Sequence, residues 1–528
     1  PGAPADRPAE AGAVREDRLL ALARRRPLAL TAAVAVLYAL PFALARLLAS
    51  PSLGTDDVNE NVLTQSWQWG YTARQPPLYD WLLISLQTVT GPELPSFLVI
   101  RYATLILAIL AYAALARHVL RDRAWAVVAA LSLTLVYQIG WLQHQVFTHT
   151  ALVVLAVPVC ALAALRWLER PDAGRAVALG AAIAFGFYAK HSFAAFIGTF
   201  LAAALLQAPI RARLAVRTAP LAVLAAVALY LPYALWLAFG GQSLLQQVEN
   251  RLLTDETYRE RVLRGLLDIP LTVLGFLSPL LPLLVVFFPR AFSPKFARAA
   301  SGEPDFARLF RDQALFALAL MVVGLLFFGV GVFKESHMQA LFLLAPLWLF
   351  ARVEASAPSA RRVRLFVRLV AAAALFTFAV KIGAFVWKDR PFCTPICRDI
   401  KPYDRLAEAL AQRGAATGTL IGGDEYVAGN LRRLFPEARV LGLRMSYFRP
   451  PADPARQQVC LLVYDSGPDG SRPPPLDRMA SEFGPAAPAE GSAVVAIDEP
   501  WSRPFGPAGW RTSHWGIVAL DPAGEACR

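Results

Sequence analysis

The chain reads as an α-helical polytopic membrane protein with a small α/β domain at its C-terminal end, and three observations lead there. Long apolar runs recur up to about residue 388; Arg and Lys residues cluster in alternate connections between those runs; beyond Lys388 short β-like stretches alternate with polar helical ones. With 56% hydrophobic residues in 528, the chain is more apolar than a soluble core of its size requires.

A helix of about 20 apolar residues crosses a bilayer because it satisfies its own backbone polar groups where water is absent. Such runs lie near 28–49, 96–118, 124–142, 148–166, 176–190, 193–209, 218–240, 268–288, 313–333, 338–352 and 365–387, so about eleven transmembrane helices are expected between residues 23 and 387. The basic segments Arg24–Arg26, Arg121 and Arg123, Arg166 to Arg175, Arg211 to Arg217, Arg290 to Arg311 and Arg352 to Arg368 fall in alternate loops. Short loops rich in Arg and Lys stay on the cytoplasmic side, which puts the N-terminus there and the loops 50–95, 143–147, 241–267 and 334–337 outside. The net charge of +13 follows from that bias and from contact with anionic lipid, so nucleic acid is not an expected partner. Residues 1–22, rich in Ala, Pro and charge, are expected to be a disordered cytoplasmic segment.

Residues 388–528 form the expected extracytoplasmic α/β domain: helices near 403–413 and 424–434, and strands near 418–422, 438–443, 458–465, 492–498 and 515–520. Gly422-Gly423-Asp424 lacks the spacing of a nucleotide-binding loop, so Asp424 is expected to cap a helix. Of five cysteines only Cys160 falls inside a span; Cys393, Cys397, Cys460 and Cys527 fall where an oxidising compartment permits disulfides. For Cys393 and Cys397 a disulfide is expected rather than a metal site, because the segment lacks histidines at zinc-site spacing except the isolated His514, and the connectivity stays open.

The loop from Ser50 to Leu94 is too long and too aromatic for a mere connector. It opens Gly54-Thr55-Asp56-Asp57-Val58-Asn59-Glu60 and runs through Trp67, Trp69 and Tyr71 to Gln75-Pro76-Pro77-Leu78-Tyr79-Asp80-Trp81. A carboxylate held at the membrane surface can take a proton from an acceptor hydroxyl as that oxygen attacks a sugar carbon, and Asp56 is the candidate base. Asp is also a favoured N-cap residue, so Asp56 or Asp57 equally fits a helix start.

These residues resemble the first extracytoplasmic loop of the protein mannosyltransferase and lipid A aminoarabinose transferase group, which are GT-C glycosyltransferases. The matching motifs are Asp56-Asp57, Trp69-Gly70-Tyr71 and Pro76-Pro77-Leu78, followed in order by Phe187-Tyr188-Ala189-Lys190 and by Lys334-Glu335-Ser336-His337 before a span containing Pro346. The resemblance implies an inverting transfer from a polyprenyl-phosphate-linked sugar donor to a lipid, glycan or protein acceptor, with undecaprenyl phosphate as the carrier in a bacterial inner membrane and the C-terminal domain in the periplasm. It implies that Asp57 and Glu60 support Asp56, that Lys190, Lys334 and His337 bind the donor phosphate, and that Arg74, Gln75 and His149 support the loop or the acceptor. Gln75 stands where relatives often have His, Arg74 where some have a metal-associated acid, and His149 about where relatives commonly place an Asp. The first two departures argue against a bound metal; no cofactor is specified, and a divalent metal stays open. A lipid or solute transporter is the competing class, disfavoured by the lack of an internal repeat, and a noncatalytic glycan-binding relative is the other.

Overall fold

The computed structural model describes residues 18–54, 56–145, 148–214, 216–240, 256–293, 304–386, 400–453, 459–501 and 511–528. The expected disorder of residues 1–17 and the disulfide expected of Cys393 and Cys397 lie outside them. Residues 18–25 form a helix, α1; the sequence reading carried disorder through residue 22, but Arg24 is fixed by an ion pair to Asp122 at 2.8 Å.

Among the described residues six helices are long and apolar enough to cross a membrane: α2 (Pro27–Ala49), α5 (Leu94–Val119), α8 (His149–Glu169), α12 (Ala219–Phe239), α15 (Phe306–Phe328) and α18 (Ala360–Val386). Between α2 and α5 lie α3 (Asp56–Leu63) and α4 (Leu78–Thr90). Two bent pairs raise the number to eight if each is one span: α10 (Phe193–Leu206) with α11 (Ala208–Leu214), bent by 114°, and Glu335–Phe342, which includes α16 (Met338–Phe342), with α17 (Ala345–Ala355), bent by 59°. Shorter apolar helices fill two further expected spans: α6 (Arg123–Leu131), continued by a 3₁₀ turn and α7 (Tyr137–Gly140), and α9 (Ala173–Ala189). The run expected as one span at 268–288 is two helices, α13 (Tyr258–Leu277) and α14 (Leu280–Phe287), parted at Pro279, whose ring leaves no N–H for a continuous helix.

The spanning helices turn large apolar side chains such as Leu37, Leu48, Phe239 and Phe327 outward, as expected of a surface solvated by lipid tails. Inside, small residues let backbones approach. At Gly180 on α9 a Cβ would stand 2.4 Å from the Ala222 carbonyl oxygen of α12.

The C-terminal region is a five-stranded mixed sheet, ordered β2-β1-β3-β5-β4, of β1 (Thr419–Gly422), β2 (Arg439–Gly442), β3 (Cys460–Asp465), β4 (Val495–Pro500) and β5 (Thr512–Leu520). β1 pairs parallel to β2 and β3, whereas β5 runs antiparallel to both β3 and β4. α19 (Asp404–Ala411) and α20 (Glu425–Leu434) cover one face; α21 (Leu476–Phe483), absent from the sequence reading, contributes Met479 and Phe483 to the core on the other. Asp424 caps α20 by accepting from the Val427 N–H at 2.8 Å. A disulfide joins Cys460 on β3 to Cys527, closing a loop of 67 residues.

The sheet domain and the first loop share one core. Val62, Leu63 and Tyr71 pack in the same cluster as Leu406, Leu431, Val440 and Trp515. At Gly429 of α20 a Cβ would stand 2.4 Å from the Val58 carbonyl oxygen, so a bare backbone there is what lets α20 lie on α3.

Candidate functional site

The short helix α3 is held from two sides. On the side of the sheet domain, Asn430 exchanges hydrogen bonds with the Leu53 backbone, donating to its carbonyl at 3.0 Å and accepting from its N–H at 2.9 Å. Asn61 donates to the Gly429 carbonyl at 2.9 Å, and the Gln65 side chain accepts from the Val440 N–H at 2.8 Å. On the membrane side, the Arg101 guanidinium of α5 donates to both oxygens of Asp57 at 2.8 Å. Their side chains are only 2% and 5% exposed. Asp57 is therefore one half of a buried ion pair that fixes α3 to α5.

Asp56 and Glu60 are four residues apart on α3 and share a helix face. Asp56 is half-buried at the first turn. Burial, with the negative charges of Glu60 and Asp57, pushes its carboxyl up to about 6, and Arg74 and His149 pull against that rise. Glu60 is buried one turn deeper, with its carboxyl pushed up to about 7 by burial, opposed by His149 and reinforced by Asp80.

Three elements converge at Glu60. His149, at the start of α8, places Nδ1 3.5 Å from Glu60 Oε1 and Nε2 3.5 Å from Asp80 Oδ2, with Asp80 coming from α4. The Thr148 hydroxyl lies 3.4 Å from the same Nδ1, and the Tyr79 ring packs beside the imidazole with centroids 5.3 Å apart. Glu60, Asp80 and His149 are all buried, and one ligand atom from each lies within 4.8 Å of the others, a spacing from which the three could hold a metal ion.

The other predicted residues arrive by different routes. Lys190 follows the end of α9 and donates from Nζ to the Thr150 hydroxyl at 2.7 Å, which places it next to His149 in the chain fold. Arg74 is exposed at the mouth, within electrostatic reach of Asp56. Gln75 is engaged through its backbone, whose carbonyl accepts from the Tyr233 hydroxyl at 3.5 Å. Lys334 is exposed and His337 half-buried just before α16, which packs on α8; they belong to a segment separate from α3 and α4.

Four residues were missed by sequence reasoning. Asp80 and Arg101 carried a usable signal, a lone charge within an apolar helical stretch, which is a functional candidate by default. His191, one residue past Lys190, lies with Nε2 3.1 Å from the Ala73 carbonyl oxygen and stacks on Tyr233. Tyr447, in the loop after β2, keeps 44% of its surface exposed, and partial burial together with the charges of Glu60 and Asp80 pushes its hydroxyl up to about 12. It brings the sheet domain to the site, and nothing local marked it.

Comparisons with known proteins relate this helical membrane body, with its buried acid cluster and C-terminal sheet domain, to membrane glycosyltransferases. Residues 74–236 match the family model described as dolichyl-phosphate-mannose-protein mannosyltransferase. The chain is 25% identical over 460 residues to the lipopolysaccharide core galacturonosyltransferase RgtB of Rhizobium johnstonii, covering 86% of this chain and 91% of that protein. It is 27% identical over 407 residues to RgtA of the same organism, covering 75% and 78%. In fold it is similar to the crystal structure of ArnT from Cupriavidus metallidurans bound to undecaprenyl phosphate, with a TM-score of 0.56 and 16% identity over 92% of this chain and 97% of that one. The chain is thus similar in sequence to the protein mannosyltransferase family over residues 74–236 and to the two Rhizobium galacturonosyltransferases, and in fold to ArnT.

Proposed function

We propose that this protein transfers a single sugar from undecaprenyl phosphate to a saccharide of the cell envelope, at the outer face of the inner membrane. The names of its relatives point to a uronic acid as the sugar and the lipopolysaccharide core as the acceptor. The N-terminus and the Arg-rich connections lie in the cytoplasm in this reading, and the sheet domain in the periplasm.

The observation that carries the proposal is Asp56: a half-buried carboxylate with its pKa raised to about 6, on a helix clamped between α5 and the sheet domain. A base works best when its pKa lies near the operating pH and when its geometry is fixed before substrate arrives. Asp56 accepts the proton of the acceptor hydroxyl while that oxygen forms a bond to the anomeric carbon. The bond from that carbon to the phosphate oxygen breaks on the opposite face, so the sugar is inverted and undecaprenyl phosphate leaves with the electron pair. Lys190, Lys334 and His337 meet the charge that gathers on the departing phosphate. Asp57 and Glu60 hold Asp56 in place, while Arg74, Gln75 and His149 support the loop.

The test is transfer of label from radioactive undecaprenyl-phosphate sugars, galacturonate included, in membranes with matched levels of wild-type protein and Asp56→Asn. Loss of roughly 10²- to 10⁴-fold in rate is expected for that variant. Full activity in Asp56→Asn would move the base elsewhere. Wild-type protein inactive with every donor and acceptor would point to a transporter or a noncatalytic glycan-binding protein.

A further inference from the structure

We propose that Glu60, Asp80 and His149 form a binding site for one divalent transition-metal ion, of which zinc is the natural probe. The inference stands on the cluster itself and does not depend on which sugar is transferred.

Charge is the first argument. Two carboxylates and one imidazole are buried together, at 6%, 1% and 1% exposure. The cationic Arg101 is already committed to Asp57. With both carboxylates ionised, the three groups carry two negative charges beside a neutral imidazole and one beside an imidazolium. Uncompensated charge in a buried site is costly, and a divalent cation cancels it.

The second argument is the pattern of unpartnered atoms. Glu60 Oε2, Asp80 Oδ1 and His149 Nε2 are each buried without a hydrogen bond, one atom from each residue. The two imidazole nitrogens differ: Nδ1 is hydrogen-bonded to the Thr148 hydroxyl at 3.4 Å, whereas Nε2 has only the longer 3.5 Å approach of Asp80 Oδ2. A metal-bound histidine commonly has its remote nitrogen oriented by such an oxygen, which leaves the other lone pair for the metal. The ligand atoms of the three residues lie within 4.8 Å of one another. Modest side-chain rotation would bring them to the roughly 2.0–2.2 Å that nitrogen and carboxylate ligands keep from zinc.

One imidazole and two carboxylates suit a first-row transition ion better than calcium or magnesium, which favour all-oxygen shells. Three protein ligands also leave a coordination position open. The ligands come from three separate elements, α3, α4 and α8. The ion would therefore tie the helix carrying Asp56 to the membrane body on the side opposite the sheet domain. Glu60, Asp80 and His149 are positioning residues in this arrangement.

The experiment uses the full chain, purified in detergent, stripped with a chelator, reloaded with zinc and desalted. Metal content by inductively coupled plasma mass spectrometry should be about one equivalent per chain, and thermal unfolding should shift upward on reloading. His149→Gln and Asp80→Asn should each lose at least about tenfold in zinc affinity. Should either variant fail to fold, cobalt-loaded wild-type protein keeps the question open to test. Visible absorption bands of a four- or five-coordinate ion support the site, and the spectrum of aqueous cobalt overturns it. Substoichiometric zinc in reloaded wild type, or zinc held equally well by folded variants, overturns the proposal too. The cluster would then be an imidazolium shared by two carboxylates.

Discussion

Two acidic groups three residues apart on α3 meet opposite fates. Asp57 faces the membrane body and finds Arg101, with both carboxylate oxygens 2.8 Å from one guanidinium nitrogen. Glu60 is also buried but shares His149 with Asp80, so two carboxylates converge on one imidazole, and an atom of each group has no hydrogen-bond partner. In the first arrangement the charges cancel, although Arg101 Nε is left buried without a hydrogen bond, and the pair reads as architecture. The second, with both carboxylates ionised, is short of positive charge, and a shortage in a buried place costs free energy unless something else is bound there. Asp56 lies between these extremes, half-buried.

That contrast can be broken at its firm side first. Arg101→Leu leaves Asp57 as a buried charge without its partner, which should cost about 3–5 kcal/mol. The loss would be read as a lower Tm in detergent, and adding Asp57→Asn should recover part of it. If Arg101→Leu is as stable as wild type, the pair does not fix α3. A smaller effect is expected from the opposite clamp: Gly429→Ala pushes a methyl into the Val58 backbone and should cost about 1–3 kcal/mol. It should also slow transfer by displacing α3, and normal Tm with normal transfer would show that the sheet domain does not position that helix.

The smallest effect sharpens the comparison at Asp56. Its pKa is raised to about 6, so the base loses its charge as pH falls through about 6, and transfer should fall along that limb. Arg74 favours the ionised form, so Arg74→Ala should raise the Asp56 pKa further and move the limb to higher pH. The rate deficit of the variant is then greater at pH 6 than at pH 8. A limb that stays in place in Arg74→Ala would mean that the guanidinium does not act on the base.

What was legible in the sequence is local by nature. Hydropathy and helical period depend on neighbouring residues, so apolar runs, the acid-rich opening of the first loop and the strand-and-helix rhythm beyond residue 400 could be read directly. The cap at Asp424 was readable for the same reason. The lengths of spans were less so: Pro279 divided one expected span, and bends divided others, because whether an apolar run stays straight depends on what packs beside it.

The sequence by itself determined that this is a membrane protein with a C-terminal sheet domain, and it placed Asp56, Asp57 and Glu60 together on one short segment. Only the tertiary structure decided that Asp57 pairs with Arg101, that Glu60 faces His149 and Asp80, that Cys460 bonds to Cys527, and that Gly429 of the distant sheet domain presses on Val58. Those meetings join residues tens to hundreds of positions apart. No local pattern encodes them, because the free energy that selects them is gained only when separate helices and a sheet close around the same buried charges.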